Sequence, residues 1–242
     1  LTQSLSLDVI IQAVFGVTDR SWMDRFSAAM TAFVGAVHRS FLVFRFLRVE
    51  LGGLTPYARF RRTQDQVHRM LDEAIAARRA APEDRPDILG MLLAARYEDG
   101  AGMSDTEIRD HLLTLVIAGH ETTGLALQWA LYELHHTPGP LERLRAELDA
   151  AGDGAPEAMA QRPYLQAVCD ETLRLWPLSP SMSRKLKAPL ELLGYTVPAG
   201  QAVAASSYLA HRREEAYPDP ERFRPERFLD RTFSPFEFLP FG

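Results

Sequence analysis

The sequence predicts a mainly α-helical protein with a small β component, built around one long helix at about residues 104–136. Three observations carry this prediction. Helical spacing of apolar residues recurs up to Trp176, a capping-box pattern opens the longest helical stretch, and strand-like stretches appear only after Pro177. The 242 residues are 46% hydrophobic, which is enough to bury a sizeable core, and we expect residues 1–242 to form a single domain.

The first hundred residues divide into four helical stretches. Gly16 closes the first and the glycines at 52–53 break the second. Thr55 is placed to cap the third, with Pro56 in its first turn, where the missing N–H of proline costs nothing. The third stretch alternates an apolar face with an arginine-rich face that includes Arg78, which we interpret as solvated surface. The predicted bounds are about 1–16, 21–48, 55 onward and 87–97.

The long helix carries the strongest local signal in the chain. Ser104 and Glu107 form an S-x-x-E capping box, and the helical pattern then continues to His136, where the sequence TPGP stops it. A helix of about 30 residues is about 45 Å long at 1.5 Å per residue. Such a helix is long enough to cross a whole domain.

The remaining chain predicts two short helices, then a little sheet, then an irregular segment. The helices are expected over 141–150 and 164–176. Residues 190–210 contain strand-like stretches hinged at 198–200, a pattern that predicts a β-hairpin. Residues 211–228 are too rich in proline and charge for regular structure.

Composition excludes several classes of protein. The net charge of −5 and the isoelectric point near 5.8 provide no electrostatic footprint for nucleic acid, and no stretch is apolar enough to span a bilayer. Cys169 is the only cysteine, so an internal disulfide framework and a multi-cysteine metal site are excluded. We expect Cys169 to be a small buried hydrophobic residue, and a single cysteine fits a reducing, cytoplasmic location.

The centre of the long helix, LVIAGHETTG at 115–124, allows two interpretations. Ala118 and Gly119 remove side-chain bulk in mid-helix, and the Thr122 hydroxyl can bond back to a carbonyl one turn earlier. With Glu121 beside it, this segment would make room for a flat group and supply an acid and a hydroxyl for proton delivery. The alternative is close helix–helix packing at Gly119 with a solvated glutamate.

A zinc-protease interpretation of the same segment fails on spacing. The H-E-x-x-H motif begins correctly at His120 and Glu121, but its second histidine position is Gly124. A helical zinc hydrolase is therefore a remote alternative.

A second constellation joins two charged motifs. Glu171 and Arg174 lie three residues apart on one helix face and can pair, on a helix whose apolar neighbours predict burial. Arg227, in the motif FRPERF, offers a planar fork of donors that matches a carboxylate. Taken singly, each motif is equally well explained as a solvated pair or a charged loop anchored by phenylalanines.

Taken together, four motifs in order resemble the cytochrome P-450 family of haem-thiolate monooxygenases. They are AGHETT, E-x-x-R about 50 residues later, FRPERF and FLPFG. The resemblance covers essentially the whole chain, and its pattern is similar to the soluble bacterial members. It implies the cytochrome P-450 fold and a haem b cofactor, iron protoporphyrin IX.

The resemblance assigns roles to residues of the long helix. Ala118 and Gly119 would lie against the porphyrin and the dioxygen site, and Ala118 would also contact substrate. Thr122 would hold dioxygen by hydrogen bonding, and Glu121 would help to relay protons.

The resemblance also assigns roles after the long helix. Glu171, Arg174 and Arg227 would form the buried triad that fixes the irregular segment under the haem. Arg184 would bind a haem propionate.

Two further assignments concern the substrate and the iron. The segment 179–182 would line the substrate cavity, with Ser181 and Met182 as substrate-binding residues. Phe241 would contact the haem at the start of the loop F-x-x-G-x-R-x-C, whose cysteine ligates the iron. That cysteine would fall about six residues beyond Gly242, so no metal ligand is expected in this chain. We therefore expect a fragment, incomplete at both ends, whose own activity is doubtful.

The implied reaction inserts one oxygen atom of O2 into a hydrophobic organic substrate. Electrons would come from NAD(P)H through a separate ferredoxin or flavodoxin and its reductase, since the chain shows no reductase domain. The protein is expected to be a monomer without a nucleic-acid partner, and no membrane segment is expected in this chain. A cytoplasmic location is expected, and a membrane anchor upstream of residue 1 is the alternative. The alternative from another class is a truncated, non-catalytic helical protein that acts as a binding scaffold.

Overall fold

The computed structural model describes residues 2–17, 19–38, 40, 44–81, 85–152 and 154–241. These residues form α-helices, two short 3-10 turns (Arg45–Leu47 and Leu51–Gly53) and short β-strands. The helices are α1 Thr2–Phe15, α2 Arg20–Ala36, α3 Pro56–Ala80, α4 Ile88–Ala94, α5 Asp105–His136, α6 Pro140–Ala151, α7 Pro156–Ala160, α8 Pro163–Leu175, α9 Ser207–Ala210 and α10 Arg227–Asp230. The strands are β1 Met182–Lys185, β2 Leu190–Leu192, β3 Tyr195–Val197 and β4 Ala202–Ala205.

The chain divides into two compact units, residues 1–124 and 125–242. The boundary falls inside α5, so the expectation of a single domain stays a prediction. No helix in the described ranges is both long and apolar enough to cross a membrane.

The first unit has an apolar core to which α1–α5 all contribute. Its caps follow the sequence: the Thr55 side chain accepts a hydrogen bond from the Ala58 amide at 3.1 Å, with proline in the first turn of α3. Aromatic rings of α1 and α2 pack edge-on or stacked within this core. Its fully or nearly buried members include Ile11, Val14, Phe26, Met30, Val67, Leu71, Ile75, Ile108, Leu112 and Val116.

Three predictions in this unit were wrong, two of them at a helix end. The second helix was expected to reach about Arg48 but ends at Ala36, because Val37 takes an extended backbone conformation; residues 39 and 41–43 lie outside the described residues. Arg78 was assigned to a solvated face, but its side chain is only 9% exposed, and it donates to both carboxylate oxygens of Asp87 at 3.1 and 2.9 Å. The helix expected at 87–97 starts as predicted, with Asp87 as its N-cap, but ends at Ala94 because Ala95 takes an extended backbone conformation.

The long helix begins and ends as predicted. The Glu107 carboxylate accepts from the Ser104 amide at 2.8 Å, and the Ser104 hydroxyl oxygen accepts from the Glu107 amide at 3.3 Å. These reciprocal bonds satisfy two N–H groups that the first turn of a helix leaves without partners. The prediction of a helix at about 104–136 is confirmed by α5.

The predicted hairpin lies at a different turn. Strands β2 and β3 form the hairpin, joined by Leu193 and Gly194, which both have positive φ, as a tight two-residue hairpin turn requires. The residues at 198–200 connect β3 to β4, which pairs instead with β1 in the register Met182↔Ala205. The hinge prediction was therefore wrong, because Pro-Ala-Gly links strands of two different two-stranded sheets.

Candidate functional site

The second unit holds a buried charge cluster at the end of α8. Glu171 and Arg174 are 0% exposed and Arg227 is 3% exposed. Arg174 donates to both Glu171 oxygens, from Nε at 2.7 Å and from Nη2 at 2.9 Å, and Arg227 Nε donates to Glu171 Oε1 at 3.0 Å. The structure thus brings together the three residues that the sequence motifs predict.

The remaining donors of the two arginines bind backbone carbonyls. Burial lowers the pKa of the Arg227 guanidinium, and the neighbouring Glu171 carboxylate acts in the opposite direction by raising it. Because an unpaired buried charge is very unfavourable, these carbonyl contacts are needed as well as the carboxylate. The acceptor carbonyls belong to His211, Pro218, Asp219 and Arg222.

The cluster thereby fixes the irregular segment that sequence composition left without regular structure. The Arg224 amide also donates to Glu171 Oε1 at 2.8 Å. The ring of Tyr217 stacks under both guanidinium groups, with Arg174 Cζ 5.0 Å from the ring centroid. One carboxylate on α8 therefore holds backbone and side chains of residues 217–227.

The same region extends to the FLPFG motif. The Tyr217 hydroxyl donates to the Glu237 carbonyl at 3.1 Å, and Leu239 N–H donates to His211 Nε2 at 2.8 Å. The Ser234 amide and the Arg231 guanidinium bind the Glu237 carboxylate, which lowers its pKa to about 2. The segment 234–239 is therefore tied to the buried cluster.

Sequence reasoning missed a second set of contacts around FRPERF. Arg143 of α6 and the Tyr164 hydroxyl of α8 both bind Glu226 Oε1, at 2.9 and 3.0 Å. The Glu147 carboxylate accepts from the amides of Tyr164 and Leu165 at the start of α8. Nothing in the spacing of these residues along the chain reveals the contacts, because they join three separate elements.

The first unit presents a different kind of surface on α5. Ala118, Glu121 and Thr122 share one helix face by their spacing and are exposed. The Thr122 hydroxyl donates to the Ala118 carbonyl at 2.5 Å, which is the backward bond that the sequence predicts. Leu115, one turn before Ala118, is 37% exposed, so this face combines apolar, small and hydroxyl groups.

Gly119, about 100° round the helix from Ala118, lies on the side of α5 that packs against α1. A Cβ atom added there would come within 2.8 Å of the Ile10 side chain of α1. The buried Ser6 hydroxyl donates toward the carbonyls of Gly119 and His120, at 3.1 and 3.0 Å. The structure therefore favours the helix-packing interpretation for Gly119, while its predicted haem contact stays a prediction without a supporting contact.

The histidine of the AGHETT motif is buried on α5. His120 is 8% exposed, and its Nδ1 has no hydrogen-bond partner among the described residues. Within those residues, no group of three or more His, Cys, Asp or Glu side chains is placed to hold a metal ion. The zinc alternative gains no support.

The other predicted cofactor and substrate residues lie in the second unit. Arg184 is exposed on β1, and its Nη1 donates to the neighbouring Ser183 carbonyl at 3.1 Å. Ser181 is exposed and Met182, at the start of β1, is half-buried. Phe241 is 71% exposed. These positions leave the side chains accessible, and their binding roles stay predictions.

Two serines that the sequence reasoning missed fix the chain just before Ser181. The Ser207 hydroxyl donates to the Ser179 carbonyl at 2.6 Å, and the Ser206 hydroxyl donates to the Pro180 carbonyl at 3.2 Å. Both serines lie at the start of α9, where Ser206 is the N-cap. A predicted helix start at Ser206 would have been the sequence signal for them.

Cys169 corrects a further prediction. We expected a buried hydrophobic residue, but the side chain is exposed. It lies on α8 two positions before the buried Glu171, so it falls on the opposite side of the helix from the charge cluster.

The fold and these motifs define a known class of protein. Residues 1–242 match the family described as Cytochrome P450, and the chain belongs to that family. This confirms the predicted family and the mainly helical fold with a small sheet.

Curated relatives and solved structures give the same result. The chain is 36% identical to cytochrome P450 137 of Mycobacterium tuberculosis over 100% of its own length and 49% of that protein. It is 35% identical to cytochrome P450 135A1 of the same species over 99% of its length and 51% of that protein. The chain thus spans about half the length of these relatives.

Two solved structures are similar over the whole chain. The P450DA haem domain superposes with a TM-score of 0.84 at 29% identity, and the chain covers 54% of it. Retinoic acid-bound cyanobacterial CYP120A1 superposes with a TM-score of 0.79, also at 29% identity and 54% coverage.

Proposed function

We propose that this chain carries part of the machinery of a haem-dependent monooxygenase, which inserts one oxygen atom of O2 into a hydrophobic organic molecule. The observation that carries the proposal is the exposed face of α5, where Ala118, Glu121 and Thr122 are accessible in a chain that belongs to the cytochrome P450 family.

Each unit, taken by itself, offers side chains that suit contact with haem. Arg184 supplies an exposed guanidinium with no carboxylate bound to it among the described residues, which suits a propionate. The face at Ala118 is small enough for a flat ring to approach. Cys169 does not suit the role of iron ligand. It is exposed on α8, whereas the family's ligand cysteine follows the FLPFG segment. Haem, when bound, supplies the redox-active iron that activates dioxygen.

Thr122 and Glu121 would manage protons in this reaction. The Thr122 hydroxyl proton points to the Ala118 carbonyl, so its oxygen is free to accept, and rotation of the hydroxyl lets it donate to a ligand instead. The exposed Glu121 carboxylate can exchange protons with solvent and pass them along the same helix face. Together they would deliver protons where O–O cleavage requires them.

Substrate and electron source belong to the same proposal. The half-buried Met182 and exposed Ser181 would line the substrate cavity, and the retinoic acid bound to CYP120A1 supports an apolar ligand of that kind. Electrons would come from NAD(P)H through a ferredoxin or flavodoxin system. We propose that the protein acts in the cytoplasm as a monomer.

A carbon monoxide spectrum of the reduced, haem-loaded chain tests the iron assignment. We expect no thiolate-type Soret band from residues 1–242, because the exposed Cys169 is the sole thiol. The control is Cys169→Ser, which should give the same spectrum. A thiolate band that disappears in this variant would make Cys169 the ligand and overturn the assignment.

A turnover experiment tests the role of Thr122, in a chain that also carries the family's ligand cysteine. Thr122→Ala should release peroxide while electrons are still consumed, because protons arrive without a hydroxyl to order them. Thr122→Ser keeps the hydroxyl and should restore product yield per electron. Unchanged yield in Thr122→Ala would count against the proposed function.

A further inference from the structure

His211 joins the buried charge cluster to the FLPFG segment through three hydrogen bonds. Its carbonyl accepts from Arg174 Nη1 at 2.8 Å. Its Nδ1 lies 3.0 Å from the Arg174 carbonyl, and its Nε2 accepts from the Leu239 amide at 2.8 Å. One residue thus contacts both the side chain and the backbone of Arg174 and the backbone of the segment that follows Phe238.

These contacts define the form of the imidazole ring. A carbonyl oxygen cannot donate, so Nδ1 must carry the proton, and Nε2 must lack one in order to accept from Leu239 N–H. The neutral Nδ1–H tautomer satisfies both contacts at once. The cationic form would place two N–H groups against each other at Leu239.

The surroundings favour the same neutral form. His211 is 0% exposed, and its burial lowers the pKa to about 4, with the nearby Arg174 and Arg212 charges acting in the same direction. The ring packs against Phe238, with centroids 5.5 Å apart, and edge-on against Tyr217 at 6.2 Å. The charged groups that face it are therefore cations, which the neutral ring tolerates and the imidazolium would not.

We propose that His211 is a positioning residue that sets the path of residues 238–241. Its Nε2 accepts the Leu239 N–H, and its bonds to Arg174 hold the ring in place, so the position of Leu239 depends on that of Arg174. The consequence for catalysis rests on the proposed function, since these residues open the segment that would approach haem. The backbone placement itself depends only on contacts inside the second unit.

The position of Leu239 makes this contact important for the direction of the chain. Leu239 is followed by Pro240, which has no N–H and restricts the backbone of the residue before it. The Leu239 N–H is therefore the last amide that can donate before Pro240. Its hydrogen bond to His211 holds the backbone at the point where Pro240 restricts it. The tie of Tyr217 to the Glu237 carbonyl lies two residues earlier and cannot set the path after Phe238.

The test compares two amide variants of the 242-residue chain by NMR-detected hydrogen exchange of the Leu239 amide at neutral pH. His211→Gln places an acceptor near the Nε2 position, whereas His211→Asn keeps a donor near Nδ1 and leaves Leu239 without its acceptor. We expect Leu239 to exchange at least about tenfold faster in His211→Asn and within about threefold of the unaltered rate in His211→Gln. Equal exchange in the two variants would mean that the ring acts by packing alone and would overturn the proposal.

A measurement on the unaltered chain covers the case in which a variant fails to fold. The nitrogen-15 shifts of the His211 ring should show a protonated Nδ1 and an unprotonated Nε2, with a coupling from the Leu239 amide proton to Nε2. A protonated Nε2 would overturn the proposal without reference to any variant. Neither readout involves haem, so an unchanged product yield in Thr122→Ala would count against the proposed function and leave the positioning result to stand or fall independently.

Discussion

The α5 face of the first unit and the charge cluster of the second unit use their polar side chains in opposite ways. Glu171 and Arg174 are 0% exposed, and each binds several partners inside the fold. Glu121 and Thr122 are exposed, and Thr122 bonds only to its own helix among the described contacts. Because a buried charge must be fully paired, the cluster is committed to structure, while the α5 side chains are available to bind or react.

The buried cluster anchors the fold of the second unit, whereas the exposed α5 side chains are the ones for which we propose a chemical role. Removing a committed side chain should change the stability of its unit, whereas removing an available one should leave stability nearly unchanged. Matched substitutions in the two regions test this directly.

The largest effect is expected from the carboxylate of the cluster. Glu171→Ala leaves Arg174 and Arg227 buried without their counter-ion and should reduce the free energy of unfolding by about 3–5 kcal/mol. Urea titration followed by circular dichroism measures the change. The control is Glu121→Ala on the exposed face of α5, which should stay within about 0.5 kcal/mol. Equal losses in the two variants would erase the contrast between the regions.

The next effect is a pH dependence that originates at His211. Its pKa is 6.5 in an ordinary environment and about 4 in the fold, so between these values the unfolded chain binds a proton that the folded chain does not. The contribution of the neutral His211 ring to the free energy of unfolding is therefore fully present above pH 6.5. It falls by roughly 3 kcal/mol as the pH is lowered to 4. The measurement is the stability difference between the unaltered chain and His211→Gln from pH 8 to about 4. A difference that stays constant over this range would show that the ring titrates normally.

Steric substitutions on α5 should separate its two sides. Gly119→Leu forces a side chain against Ile10, since even a Cβ would come within 2.8 Å of it, and should destabilise the first unit by about 1–3 kcal/mol. Ala118→Leu places the same side chain on the exposed face and should cost less than about 0.5 kcal/mol. Combining Gly119→Leu with Ile10→Ala should recover part of the loss, and an absence of recovery would argue against direct packing.

Loss of a hydroxyl should give the smallest contrast. Ser6→Ala removes a buried donor to the carbonyls of Gly119 and His120 and should cost about 1 kcal/mol. Thr122→Val removes a hydroxyl of similar bonding on the exposed face and should cost less than half of that value. Thermal unfolding of both variants is sufficient, and a larger loss in Thr122→Val would reverse the assignment of the two faces.

The sequence predicted features that depend on short-range spacing. The capping box at Ser104, the proline-led start of α3 and the i,i+3 pairing of Glu171 with Arg174 all lie within one turn of helix, so neighbouring residues are enough to specify them. The order of four motifs also identified the family, which the family match and the related structures confirm.

Most features that depend on distant partners were not predictable; the contact of Arg227 with Glu171 is the exception, and it was expected from the resemblance to a family and not from local pattern. The hairpin turn was assigned to residues 198–200 because Pro-Ala-Gly is a strong turn signal, but strand pairing placed it at Leu193 and Gly194. Arg78 was assigned to the surface, but its guanidinium binds the Asp87 carboxylate and the carbonyl of Phe15, and its side chain is largely removed from solvent. The local sequence pattern does not reveal which residue from a distant part of the chain becomes the contact partner in the folded protein.

By itself, the sequence determined the helical class, the bounds of the long helix, and the residues from which the buried charge cluster and the exposed α5 face are made. The tertiary structure alone decided which small residue of AGHETT is used for packing, since only the contact with Ile10 distinguishes Gly119 from Ala118. It also decided that His211 connects Arg174 to Leu239. The physical reason is range: helix caps and pairs act over one turn, whereas burial and hydrogen bonding between elements depend on the folded chain.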